Sequence, residues 1–228
     1  GAVSVMQYRD DGYLPHALLN YIVRLGWSHG DQEIFTRDQL IGLFSVDDVN
    51  KSAARFDFDK LAWLNQQYLK SEPPESIARH FEWHLRAQGL ELADGPAPAD
   101  LVVALRDRVR TLKEMAERAR AWFVEPEAYD PSAVEKHFGG RASEALAAVR
   151  ERLATIDETT WRPESVDAAL KAAAEWLGEG LGKVAQPLRV AITGTAVSPA
   201  IDHTVFLCGK PRALARIDRA LVFLAARG

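Results

Sequence analysis

Gln186-Pro187-Leu188-Arg189-Val190-Ala191-Ile192-Thr193-Gly194 is the most informative stretch of the chain, and Ser198-Pro199-Ala200-Ile201 follows it after a short gap. Pro187 fixes its own φ and has no amide N–H, which suits the first turn of a helix. The run from Val190 to Ile192 leaves no polar stripe, so we expect other helices to enclose it. Arg189 therefore needs an anionic or polar partner, which is either a structural carboxylate or a ligand.

The rest of the sequence has the same helical character. Thr36 and Gln39 have the spacing of a capping box, and Asp57 can cap the helix that follows it. One continuous helix is predicted from Ala99 to Phe123. Apolar residues at helical spacing predict the buried side of a helix near the amino end: Leu14, Leu18, Leu19, Ile22, Val23 and Leu25. No repeat and no convincing hairpin is visible, so the predicted fold class is all-α.

Size and composition set outer limits on the function. The chain has 228 residues and a formal net charge of −4. Its single cysteine, Cys208, lies in an apolar run and is expected to be a small core residue in a reducing compartment. No run approaches the length of a membrane span, and no leader precedes the first helix, so we expect a soluble, cytoplasmic protein. Because Gly1 is not a natural start, the sequence is expected to begin inside a longer protein or after a cleaved tag.

The charged residues are unevenly distributed along the sequence. Basic residues concentrate in two segments: Arg106, Arg108, Arg110, Lys113, Arg118 and Arg120 in one, and Lys210, Arg212, Arg216 and Arg219 in the other. Such faces on an acidic chain are compatible with contact to a folded RNA. Solvated helix faces are the simpler interpretation, and the charges alone favour it.

Sequence patterns of catalysis are absent. Gly178-Glu179-Gly180-Leu181-Gly182-Lys183 imitates a phosphate-binding loop, but Val184 stands where a Ser or Thr would hold magnesium, and no strand precedes it. A connection between two helices is the better interpretation. His80 and His84 are one helical turn apart, yet the glutamate of a zinc-protease motif is not next to the first of them, so we expect surface histidines. Nothing in the sequence predicts an active site.

Four motifs, in order along the chain, resemble bacterial glutamyl-tRNA synthetase. The first two are Gly12-Tyr13-Leu14-Pro15-His16-Ala17-Leu18-Leu19-Asn20-Tyr21 and Leu25-Gly26-Trp27-Ser28. The third is Phe56-Asp57-x-Asp59-Lys60-Leu61-x-Trp63-Leu64-Asn65, and the fourth is Gly182-Lys183-x-x-Gln186 continuing to Gly194. The similarity covers essentially the whole chain but only the family's carboxy-terminal half. The Rossmann-type catalytic domain, with its HIGH-like motif, and the KMSKS-like motif are missing from this sequence.

The resemblance implies a stem-contact helical domain at residues 1–72, followed by a two-part helical anticodon-binding cage at 73–130 and 131–228. The breaks at Pro73-Pro74 and from Pro126 to Pro131 agree with that division.

Individual roles are likewise implied by the matched motifs. Arg108 matches the arginine that reads the third anticodon base, and Arg189 matches the one that meets the first base. Ser198, Pro199 and Ile201 match a turn that contacts that base. Lys60 and Trp63 match positions at the tRNA stem, although Trp63 can equally be a core residue.

The resemblance also implies partners and cofactors. We expect this chain to bind glutamate tRNA, no DNA and no membrane, as a monomer. It is expected to need no cofactor and to be inactive by itself, whereas the full synthetase attaches glutamate to tRNA with ATP and magnesium. The alternative from another class is a helical protein-interaction scaffold that binds no RNA.

Overall fold

The computed structural model describes residues 4–50 and 55–227, and the all-helical prediction is confirmed there. The described residues form no strand, only one isolated bridge between His29 and Gln32. The first seven helices are α1 Val5–Asp10, α2 Pro15–Arg24, α3 Arg37–Leu43, α4 Phe58–Ser71, α5 Pro74–Ala87, α6 Pro98–Leu105 and α7 Leu112–Phe123. The next six are α8 Pro131–His137, α9 Ala142–Thr155, α10 Pro163–Leu177, α11 Leu181–Thr193, α12 Ile201–Cys208 and α13 Lys210–Ala225.

The chain divides into two compact units. The first comprises Gly1–Leu92 and Pro98–Ala119, and the second comprises Ala93–Ala97 and Arg120–Gly228. The division between them falls inside α7. The expected division into residues 1–72, 73–130 and 131–228 concerns roles in RNA binding and stays a prediction.

In the first unit, α2 packs against α4 and α5 against α6. The predicted caps are confirmed, because Thr36 and Gln39 form a reciprocal capping box and the Asp57 carboxylate accepts from two backbone amides. The predicted buried side of α2 is partly wrong, since Leu19 and Ile22 are exposed. Asn20 is fully buried in their place, because its side chain bonds the carbonyl of Glu33 and the amide of Phe35.

The predicted long helix over Ala99–Phe123 is wrong at its centre. α6 ends at Leu105, a 3₁₀ turn covers Arg106–Arg108, and α7 begins only at Leu112. Side chains of α4 hold the interruption open, since Asn65 donates to the Arg110 carbonyl and Gln66 to the Val109 carbonyl. Backbone groups that would close helical turns are therefore bonded to another helix.

In the second unit, α11 is the central helix and packs against α8, α9, α10, α12 and α13. Val190, Ala191 and Ile192 are fully buried, which confirms that other helices enclose this segment. The prediction that Pro187 lies in the first turn is wrong, because α11 begins at Leu181. The Lys183 carbonyl consequently lacks the usual amide donor from four residues ahead. Gly194 ends the helix in the left-handed conformation with a φ of 79°.

Arg216 of α13 anchors this unit from inside. Its side chain is fully buried and donates to the Glu125 carboxylate and to the carbonyls of Ala121, Val124 and Ile192. A charge is tolerated there because each of the three guanidinium nitrogens donates a hydrogen bond. The interpretation of this basic segment as a solvated face is therefore wrong for Arg216.

Two further expectations can be compared with the structure. Cys208 is buried, and burial raises the pKa of its thiol to about 11, which confirms a core role rather than a reactive one. No helix among the described residues is long and apolar enough to cross a membrane.

Candidate nucleic-acid interface

Arg108 projects from the interruption between α6 and α7. It is the last residue of the 3₁₀ turn and is exposed, whereas its neighbour Val109 is buried. Within residues 4–50 and 55–227 its guanidinium has no hydrogen bond and no ion pair. Its donors are thus directed at solvent from a turn whose backbone is fixed by Asn65 and Gln66.

Gly12 fixes the other side of this turn. Its carbonyl accepts from the Leu112 amide over 2.9 Å, and its φ of 90° is a value that favours glycine. A Cβ at this position would lie 2.4 Å from the Lys113 nitrogen, so only glycine lets the two segments approach so closely. The turn that carries Arg108 is a pre-formed feature of the first unit.

Arg189 and the Ser198-Pro199 turn lie together in the second unit. The Arg189 Nε donates to Ser198 Oγ over 2.8 Å, and that hydroxyl donates to the Pro199 carbonyl over 2.9 Å. Thr204 of α12 donates to the same Ser198 oxygen over 3.0 Å. Ile201, half-buried, is the first residue of α12. Residues separated in the sequence thus form one polar network at the ends of α11 and α12.

A cavity of about 580 Å³ lies along the amino-terminal half of α11. The charged and polar side chains that line it are Lys136, His137, Arg141, Glu179, Lys183 and Gln186. Arg141 is neutralised by Glu144 and Glu179, at 2.8 and 3.4 Å. Burial lowers the pKa of His137, and the charges of Lys136 and Arg189 lower it further. The cavity therefore has an excess of positive charge and adjoins Arg189.

Lys60 and Trp63 form a surface pair on α4. The Lys60 Nζ lies 2.5 Å from Glu33 Oε2 and 4.4 Å from the centre of the Trp63 ring. This hydrogen bond from Lys60 lowers the pKa of Glu33. Trp63 is 37% exposed, so its interpretation as a core residue is wrong. The small cavity beside Lys60 is lined by Arg24 and Arg55 and also by Glu33 and Asp57, so basic and acidic side chains are mixed on this surface.

The motifs that we rejected as catalytic have structural roles. Gly178 caps α10 and Gly180 precedes α11, which confirms a connection between helices. His80 is exposed, but the prediction of a surface residue is wrong for His84, which is 4% exposed. Among the described residues, no group of three or more His, Cys, Asp or Glu side chains could hold a metal ion.

Three residues of these surfaces were missed by sequence reasoning. Gln186 belonged to a quoted motif but was given no role, and His137 and Glu33 lie outside the quoted matches. The spacing of Lys183, Gln186 and Arg189 at i, i+3 and i+6 is the one available signal, because it places all three on one side of a helix.

Comparison with known proteins identifies the family to which this chain belongs. A family model described as an anticodon binding domain matches residues 66–221. The chain belongs to the anticodon-binding domain family. A second model, described as the catalytic domain of class I tRNA synthetases (E and Q), matches residues 1–63. The segment that we expect at the tRNA stem thus carries similarity to part of that catalytic-domain family.

Individual relatives of this chain are glutamate–tRNA ligases. The enzyme of Xanthomonas campestris pv. campestris (strain B100) is 58% identical over 226 residues, covering 99% of this chain and 48% of that protein. The ligase of Xylella fastidiosa (strain 9a5c) is 56% identical over 222 residues, covering 97% and 47%. The resemblance to glutamyl-tRNA synthetase is confirmed, and the chain spans about half the length of these relatives.

A solved structure shares the fold. The glutamate tRNA ligase of Elizabethkingia meningosepticum CCUG26117, crystallised in complex with its amino acid, superposes with a TM-score of 0.82 at 29% identity. The match covers 95% of this chain and 43% of that one. It supports the helical architecture along nearly the full sequence.

Proposed function

We propose that this chain binds the anticodon arm and stem of a glutamate tRNA. The observation that carries the proposal is the Arg108 guanidinium, which is exposed on a rigid turn and has no partner among the described residues. Arginine donors directed at solvent from fixed backbone suit the recognition of unpaired bases.

Arg108 is proposed to read the third anticodon base. Cytosine presents acceptors at N3 and O2, whereas guanine presents donors at N1 and N2, and arginine can only donate. Arg108 would therefore favour the glutamate anticodon, which ends in cytosine, over the glutamine anticodon, which ends in guanine.

Arg189, Ser198, Pro199 and Ile201 are proposed to meet the first anticodon base. The Arg189–Ser198 bond holds the guanidinium against the turn, which places the proposed contacts close together. Lys60 and Trp63 are proposed to contact the tRNA stem, where a phosphate would compete with Glu33 for the exposed Lys60 ammonium.

The parent protein is proposed to attach glutamate to its tRNA with ATP and magnesium. As the resemblance to glutamyl-tRNA synthetase implies, we assign ATP and magnesium to the catalytic domain of that parent protein. We expect this chain to act as a monomer in the cytoplasm and to catalyse neither activation nor transfer alone. Residues 1–72 are assigned to the stem, and 73–130 and 131–228 to the anticodon.

The test is a binding titration with anticodon-arm hairpins that end the anticodon in cytosine or guanine. The wild-type chain should bind the cytosine hairpin more tightly, and affinity should fall steeply with salt because phosphate contacts release counterions. Arg108→Ala should cost about 1–3 kcal/mol with cytosine and remove the preference. Arg108→Gln should accept both hairpins, because an amide donates and accepts.

Arg86→Ala is the matched control, since Arg86 is exposed and pairs only with Glu82 among the described residues. It should leave the preference unchanged. Equal losses for both hairpins in Arg108→Ala would exclude Arg108 as the reader. Absence of salt-dependent RNA binding in the wild type would favour the protein-interaction scaffold instead.

A further inference from the structure

A further cavity, of about 710 Å³, lies in the second unit between α8 and the carboxy-terminal part of α13. Residues 126–129, which precede α8, also line it. Its volume lies in the range of pockets that hold small molecules. None of the residues that line it takes part in the RNA binding proposed above. The chemistry of a ligand must therefore be deduced from the lining itself.

Aromatic rings form much of the apolar lining. Tyr129, Phe138 and Phe223 have ring centres between 5.0 and 6.0 Å apart. Phe138 is buried, whereas Tyr129 and Phe223 are half-buried and line the cavity together with Pro131 and Val134. A half-buried ring offers its remaining apolar surface to a ligand, and another ring adds a favourable edge or offset contact. The cavity thus suits an apolar group, and an aromatic one best.

Two arginines line the same cavity beside these rings. The guanidinium carbon of Arg219 lies 5.2 Å from the centre of the Tyr129 ring. That of Arg227 lies 5.3 Å from the centre of the Phe223 ring. The Arg219 Nη1 donates to the Pro126 carbonyl over 2.8 Å, but its Nη2 is buried without a hydrogen-bond partner among the described residues. A carboxylate would supply the missing acceptor once the guanidinium turns toward the cavity.

Two glutamates line the cavity as well. Glu127 and Glu135 are exposed, and within the described part of the chain neither forms an ion pair. Arg227 likewise forms none there, and the ion pair of Arg219 is a 3.7 Å contact with Glu125, which does not line the cavity. The cavity therefore carries charges of both signs that do not pair with each other. The carboxylates disfavour a phosphate-rich ligand such as RNA, whereas a ligand with one charge of each sign would use both sets.

We propose that this cavity binds a free amino acid with an aromatic side chain. The side chain would pack on the two half-buried rings, the α-carboxylate would accept from the two arginines, and the α-ammonium would pair with one of the two glutamates. An acidic side chain, such as that of glutamate, would instead lie against the rings, where a carboxylate is poorly solvated. The site does not depend on the proposed RNA binding, and its test needs no RNA.

Isothermal titration calorimetry of the whole chain with L-phenylalanine is the direct test. A Kd of about 0.1–1 mM is expected, because each exposed charge contributes little. Phenethylamine lacks the carboxylate and 3-phenylpropionate lacks the ammonium, so each should bind about threefold to tenfold more weakly. L-Glutamate should not bind measurably at the same concentrations. Equal affinity for the three aromatic compounds, or for the two amino acids, would overturn the proposal.

Two variants separate the charged contacts. Arg227→Ala should weaken the binding of L-phenylalanine about threefold and leave that of phenethylamine unchanged, since the amine has no carboxylate to lose a partner. The double variant Glu127→Gln/Glu135→Gln should weaken L-phenylalanine similarly and should not weaken 3-phenylpropionate, which has no ammonium.

Arg162→Ala is the matched control, because Arg162 is exposed in the same unit and does not line the cavity. It should leave the affinity for L-phenylalanine unchanged. Thermal unfolding of each variant establishes that it is folded. Wild-type affinity for L-phenylalanine in both folded cavity variants would overturn the proposal, and so would failure of the wild-type chain to bind L-phenylalanine.

Discussion

The side-chain amide of Asn65 donates to the carbonyl of Arg110 over 2.6 Å and fastens the turn that carries Arg108 to helix α4. The same side chain accepts from the Leu14 amide over 2.8 Å, and it is fully buried. One residue of α4 thus connects the entry to α2 with the interruption between α6 and α7. The position of Arg108 depends on this connection.

Asn65→Ala is expected to destabilise the chain by about 2–4 kcal/mol, because it leaves the buried Leu14 amide and the part-buried Arg110 carbonyl without partners. Urea unfolding measures this loss. Gln66→Ala is the matched control, since half-buried Gln66 makes a single 3.2 Å bond to the Val109 carbonyl, and it should cost less than about 1 kcal/mol. Similar losses for the two variants would show that Asn65 does not hold the turn.

Gly12→Ala is expected to be strongly destabilising for two reasons. The φ of 90° disfavours a side chain, and the added Cβ would meet the backbone nitrogen of Lys113. Gly30→Ala isolates the first reason, because Gly30 also has a positive φ but open space around its Cβ position. Thermal unfolding should show about 1 kcal/mol for Gly30→Ala and several times that for Gly12→Ala. Equal shifts would refute the close approach.

Arg216→Met is expected to cost about 3–5 kcal/mol. The substitution leaves three carbonyls, of which that of Ile192 is buried, and the Glu125 carboxylate without their guanidinium. Arg219→Met on the same helix is the comparison, because the Arg219 side chain is 38% exposed. Chemical denaturation should rank Arg216→Met well below Arg219→Met in stability, and the reverse order would contradict the anchoring role.

Arg189→Ala is expected to weaken hairpin binding and to change its dependence on the first anticodon base. Ser198→Ala removes the acceptor of the Arg189 Nε while keeping the guanidinium, so it should produce a smaller effect in the same direction. Titration with hairpins that vary at the first base gives the measurement. If Arg189→Ala only lowers the melting temperature and the base dependence persists, Arg189 is structural.

The sequence was sufficient to predict what depends on neighbouring residues. Caps such as Asp57 and Thr36 act within one helical turn, and the apolar run Val190–Ile192 needs only to be buried. The break at Arg106–Arg108 was not predictable in this way, because its cause is Asn65, forty-odd positions earlier in the chain. The burial of Arg216 likewise depends on carbonyls at the ends of two other helices. That the Oε1 of Gln186 lacks a hydrogen-bond donor among the described residues is likewise visible only in the packed structure.

Acid should destabilise the chain through His84. Burial lowers its pKa to about 4 from 6.5, because the charged imidazolium is poorly solvated there. Between those values the unfolded chain binds a proton that the folded chain excludes, so stability falls as pH drops. The slope from this group approaches about 1.4 kcal/mol per pH unit. Carboxylates with lowered pKa, such as Asp130 and Asp218, lose their contribution only as pH falls below their ordinary values near 3.8.

His84→Gln should therefore flatten the dependence of unfolding free energy on pH between pH 6.5 and 4. His80→Gln is the control, because His80 is exposed one turn earlier on the same helix and should leave the slope unchanged. His137, whose pKa is also lowered, contributes equally in all three proteins, so the difference between the curves isolates His84. Parallel curves for the wild type and His84→Gln would mean that the folded chain protonates His84 at its ordinary pKa, and they would refute this prediction.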